Sequence, residues 1–98
     1  MRDLEFRNWM TEQGKTKKVI SDIISRLRRV EREIDTCDLD RAYNENRCEY
    51  LLALFKNNGK NDEMEKLDTN FPVGKYYMST YRHAINYYIA FLDSGKLD

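Results

Sequence analysis

The side chains most suited to chemistry are the cations between residues 15 and 35, KTKKVISDIISRLRRVEREID. Seven basic and two acidic residues lie between positions 15 and 32, a local charge of +5. Lys18, Ser21, Ser25, Arg28, Arg29 and Arg32 recur at helical spacing, opposite a stripe of Val19, Ile20, Ile23, Ile24, Leu27, Val30 and Ile34. Lysine and arginine along one helix side neutralise phosphates, and serine hydroxyls there add uncharged hydrogen bonds. Part of the charge has a plainer use. Lys18 and Asp22, Asp22 and Arg26, and Arg29 and Glu33 are each four residues apart, and such pairs support a helix by a few tenths of a kcal/mol. Arg28 and Arg32 have weaker local partners, so they are expected to be freer to meet another molecule.

Other chemistries find little material. His83 is the single histidine, and Cys37 and Cys48 lack the close spacing of a zinc site or a redox pair. There is no glycine-rich phosphate loop and no HExxH or GxSxG pattern. The carboxylates are numerous, but nothing marks two of them as a catalytic pair. No enzyme activity, no metal, no cofactor and no small-molecule substrate is expected. Of the seven tyrosines, Tyr81 and Tyr88 fit a core. Tyr76 and Tyr87 share the outer side of their helix with Thr80 and His83, where a ring either packs on the periphery or meets a base or sugar. His83 is expected to face solvent or to be hydrogen-bonded. Trp9 reads as a core anchor.

Composition bounds the rest. A chain of 98 residues with 41% hydrophobic content makes one domain, 1–98, able to bury a small core without metal or disulfide support. Formal net charge is zero, but the sign is segregated. Residues 33–49 hold six acids and two bases, a local −4, and an acidic stretch of that kind can imitate phosphates in a partner's DNA groove. No apolar run is long enough to span a membrane, and the first twenty residues lack the uninterrupted apolar core of a signal peptide. Two cysteines in an ordinary composition fit free thiols in a reducing compartment, so a cytoplasmic protein is expected.

The elements that position these groups are helices. Residues 3–13 predict a short helix with Asp3 as N-cap, Leu4, Phe6, Trp9 and Met10 as its apolar positions, and Gly14 just beyond its end. Thr16 is the expected N-cap of the second helix, which should end within residues 35–38, with Thr36 or Asp38 capping the next element. Leu39, Ala42 and Tyr43 suggest one short turn. A third helix is expected over 45–57, with Cys48, Leu51, Leu52, Leu54 and Phe55 inward, stopped by Asn57-Asn58-Gly59. Residues 61–67 suggest a polar turn and 68–75 a loop. The last helix is expected over 75–92, with Met78, Tyr81, Ile85, Tyr88, Ile89 and Leu92 as its stripe and Ser94-Gly95 at its end. No segment alternates with period two. The class is all-α, a compact bundle of four to five helices in which Ile23, Leu27, Leu51, Phe55, Ile85 and Ile89 share one core.

Two stretches carry a family likeness. FRNWMTEQGKTKKVISDIISRLRRV resembles the opening of the core-binding domain of tyrosine recombinases and phage integrases, a short helix with an aromatic start, a small "g-x-s/t" hinge, then a long second helix. STYRHAINYYIAFL resembles that family's last helix, and similar helical modules precede restriction-type nuclease domains. The resemblance implies a SAM-like helical bundle that clamps duplex DNA through its backbone. It places Lys15, Thr16, Lys17 and Lys18 on the hinge stretch that approaches phosphate, and Ser79, Thr80 and Arg82 at the polar start of the last helix. The acidic segment 33–49 departs from the pattern, and recombinase catalysis is not implied. Two functions emerge as expectations. One is a double-stranded-DNA-binding module, free-standing or the N-terminal arm of a larger DNA-processing protein, using Lys15, Thr16, Lys17, Lys18, Ser25, Arg28, Arg29, Arg32, Thr80, His83 and Tyr87. The other is a small protein-interaction module, a phage or mobile-element inhibitor or adaptor that meets a protein partner through its acidic segment.

Overall fold

A computed structural model describes residues 1–34, 38–56 and 78–95. Within them the chain forms five helices and no strand: α1 (Asp3–Glu12), α2 (Lys17–Glu33), α3 (Leu39–Asn46), α4 (Glu49–Leu54) and α5 (Met78–Asp93). The chain is an all-α bundle. The expected turn at 61–67, the loop at 68–75, the stop at Asn57-Asn58-Gly59, Tyr76, Cys37 and the Thr36 cap all lie outside the described residues.

The first two helices form an antiparallel hairpin. Gly14 makes the reversal with φ +85°, a left-handed conformation that costs glycine nothing. Thr16 then caps α2, its hydroxyl accepting from the Val19 N–H at 3.2 Å. The N-cap expected of Asp3 is not made. Arg2 occupies that position without a side-chain cap, because the Asp3 carboxylate lies in the first turn and pairs with Arg28 of α2. One apolar side of α2 (Ile20, Ile23, Ile24, Leu27 and Val30, with Ile34 just past its end) is buried as its periodicity requires. Val19, at the edge of that stripe, remains 41% exposed.

The region after α2 departs from expectation in two ways. Leu39, Ala42 and Tyr43 belong to a full eight-residue helix, capped by Asp38, whose carboxylate accepts from the N–H groups of Asp40 and Arg41. The helix expected over 45–57 is interrupted at Arg47 and Cys48, with φ of 59° and 62°. Both N–H groups turn back to close α3, Arg47 to the Tyr43 carbonyl at 2.8 Å and Cys48 to the Ala42 carbonyl at 3.1 Å. Left-handed backbone costs a residue with a side chain about 1–2 kcal/mol, so tertiary contacts must hold it. Arg47 pairs with Asp93 at the end of α5, and the Tyr43 hydroxyl donates to the same carboxylate at 2.6 Å. Cys48 is fully buried, its thiol directed at the Leu39 carbonyl 3.7 Å away, and burial pushes its pKa up to about 11.

One core joins all five helices. Ile23, Leu27, Leu51, Phe55, Ile85 and Ile89 lie in it as expected, with Phe6, Met10, Leu39, Leu54, Tyr81, Tyr88 and Phe91. Aromatic rings fill its centre: Phe6 meets Tyr88 edge-on at 5.0 Å, and Phe55 stacks on Tyr81 at 5.8 Å. Trp9 is half-buried against this cluster, 5.9 Å from Phe91. Tyr88 carries its hydroxyl to the edge of the core, where it accepts from the Arg2 N–H at 2.8 Å and donates to Asp40.

The Asp93 clip makes the fold acid-sensitive. Hydrogen bonds from Arg47 and Tyr43 hold the Asp93 pKa at about 2, below its ordinary 3.8. A depressed carboxylate pKa contributes stability that is present above the unfolded value and lost as protons bind the folded form. Stability from this group is therefore expected to be complete above about pH 5 and to fall as pH drops from about 4 towards 2. Urea titrations across that range check it, since Asp93→Asn should flatten the acid limb.

Candidate nucleic-acid interface

The cations of α2 do not form one patch. Helical geometry places Lys17, Ser21, Ser25, Arg28 and Arg32 on one flank of its buried stripe, and Asp22, Arg26 and Arg29 on the other. Contacts identify the neighbour of each flank. Arg28 reaches Asp3 of α1. On the far flank Arg29 donates to the Tyr81 hydroxyl of α5 at 2.8 Å, and the Lys15 ammonium sits 4.9 Å above the Tyr87 ring of α5. Lys18 lies at the back of the helix, 3.6 Å from Asp22.

The α1 flank is the open one. Lys17, Ser21, Ser25, Arg28 and Arg32 are all exposed, and at 1.5 Å per residue they extend over about 22 Å of helix. Arg28 and Arg32 are less free than the sequence implies. Arg28 is paired with Asp3, and Arg32 lies 3.5 Å from Glu33. Both side chains remain well exposed, at 57% and 68%, and exposed pairs of this kind contribute only about 0.2–1 kcal/mol, so phosphates can compete for them. The expected helical pairs of Asp22 with Arg26 and of Glu33 with Arg29 give way to Lys18 and Arg32 as partners.

The α5 flank is a smaller cluster. His83 is exposed and stands edge-on to Tyr87 at 4.7 Å, Tyr87 and Thr80 are half-buried, and Lys15 covers the Tyr87 ring. A ring flanked in this way is not an open platform for a base. Lys15 there holds its cation over the aromatic face, a contact of about 0.5–1 kcal/mol at an exposed site. Among the described residues no group of His, Cys, Asp or Glu converges as a metal ion would need.

Part of the acidic segment, with Glu31 just before it, is spent on the fold. Glu31 accepts from the Leu39 N–H at 3.0 Å and lies 3.5 Å from the Met1 amino group, which is 3.3 Å from Asp40. Asp40 also accepts from Tyr88, Asp38 caps α3, and Glu45 pairs with Arg41 at 3.0 Å. The contacts of Glu31 and Asp40 leave no spacing signature, because Met1 and Tyr88 come from distant parts of the chain, whereas Asp38 caps its own helix and Glu45 pairs one turn away. The Tyr43, Arg47 and Asp93 clip was hidden for the same reason.

The chain matches no family model, no curated protein and no solved structure. No helix of the described residues is long and apolar enough to cross a membrane.

Proposed function

We propose that this domain binds double-stranded DNA through its phosphates, using the open flank of α2, either alone or as the N-terminal arm of a larger DNA-processing protein. The observation that carries the reading is the row of Lys17, Ser21, Ser25, Arg28 and Arg32, exposed along one side of a helix anchored by its opposite side in the core. Lys17 begins the row at the hairpin turn, while Lys15 turns to the α5 side, over the Tyr87 ring. The order of features shared with recombinase core-binding domains supports the same use. A protein-interaction module working through the acidic segment draws less support, because Asp38 and Asp40 of that segment are engaged by the chain itself.

Phosphate contacts release counterions, so binding should weaken steeply with salt. The double substitution Arg28→Ala and Arg32→Ala is expected to weaken binding to every duplex and to flatten the salt slope by up to about two units. Stability should fall by less than about 1 kcal/mol, since the pairs removed are exposed. Fluorescence anisotropy on two unrelated duplexes at several salt concentrations measures the effect. Unchanged affinity in the double variant, or no binding by the native protein near about 50 mM salt, would reject the proposal and favour a protein partner.

A further inference from the structure

We infer that the exposed side of α5 reads base edges in the DNA major groove, giving the domain a sequence preference. The inference rests on the DNA-binding reading and adds to it a surface of different chemistry. The α2 flank carries lysine and serine, which suit phosphates, and its two arginines are ion-paired to Asp3 and Glu33. On α5, Arg82 and Asn86 stand one helical turn apart on the same side, both exposed. Neither side chain is hydrogen-bonded or ion-paired to another described residue.

Arginine and asparagine are the two side chains whose paired groups fit purine edges in the major groove. Arginine donates twice to guanine O6 and N7, and asparagine exchanges two hydrogen bonds with adenine N6 and N7. A fork left unpaired on a helix surface is available for either role. The neighbouring positions are permissive. Ser79, three residues before Arg82, and Ala90, four after Asn86, are small and exposed on the same side, so the helix can lie close to the floor of the groove. The Ala90 methyl also suits contact with a thymine methyl. The carboxylate at the end of this side, Asp93, would repel DNA if bare, but it is held by Arg47 and Tyr43.

Spacing fixes the expected site. Arg82 and Asn86 are about 6 Å apart along the helix axis, so in a helix lying along the groove their side chains reach bases no more than about two steps from one another. The preferred duplex should therefore hold a guanine and an adenine within about two steps of one another.

Selection from a pool of random duplexes, followed by anisotropy on the winner and on single-base variants, tests this. The native protein is expected to enrich one short site. Asn86→Ala, which leaves the charge unchanged, should cost about tenfold in affinity for that site and abolish discrimination at the adenine position only. Arg82→Ala should do the same at the guanine position. Binding to an unrelated duplex should change little with Asn86→Ala. Circular dichroism confirms that both variants keep the native helix content. Binding without enrichment of any site overturns this inference and leaves the phosphate reading standing. Enrichment that survives both substitutions also overturns it. Failure of the native protein to bind any duplex overturns the two together.

Discussion

Replacing Phe6 by alanine is expected to cost about 3–5 kcal/mol of folding stability, the usual range for a buried phenylalanine. Its ring is fully buried and meets Tyr88 at 5.0 Å, Phe91 at 5.3 Å and Trp9 at 6.3 Å. Truncation therefore removes both a large apolar side chain and aromatic pairings of about 0.5–1.5 kcal/mol each. Domains of this size are stable by about 5–15 kcal/mol, so the variant should sit near the edge of folding. Leu4, two residues away and 71% exposed, is the control, and its replacement by alanine should change stability by no more than about 0.5 kcal/mol. Urea denaturation followed by circular dichroism gives both values. A loss below about 1 kcal/mol for Phe6→Ala would contradict the position of α1 against α5.

The second large effect is expected at Leu27. It lies at the centre of the α2 stripe, fully buried, with Ile23, Ile24 and Val30 around it on the same helix side. Leu27→Ala should cost about 2–5 kcal/mol, the upper part of that range applying if the neighbours cannot close the cavity. The same measurement reads it, and a change under about 1 kcal/mol would mean that α2 presents a different side to the core.

Local chemistry made much of this fold legible. Thr16 and Asp38 cap as their hydroxyl and carboxylate suggest, Gly14 and Gly95 end helices with positive φ, and the α2 stripe announces its own burial. The break at Arg47 and Cys48 was not legible. Neither residue is a customary left-handed former, and the interactions that hold it come from Asp93, 46 residues away. The site was half-legible in the same sense. Periodicity gives the angle of each cation around α2, so the exposed row of Lys17, Arg28 and Arg32 can be read from spacing. It does not say which helix lies beside each flank, and so it could not separate Arg29, held by Tyr81, from its neighbours. Asp3 illustrates the same limit, since a capping residue by composition became the partner of Arg28.

The contacts of α5 have a consequence for how the molecule is made. Phe6 and Arg2 find Tyr88, Arg29 and Phe55 find Tyr81, and Tyr43 and Arg47 find Asp93, so each earlier helix among the described residues waits for the same late segment. While the chain emerges from the ribosome, α1 and α2 can pair as a hairpin but cannot close a core. Native structure should arise in one step, once α5 is released, which leaves a nascent chain whose Phe6, Leu27 and Leu51 must be shielded in the interval. A chain stopped at residue 56 is accordingly expected to show no cooperative transition in urea, whereas one that includes α5 should show a single sharp one.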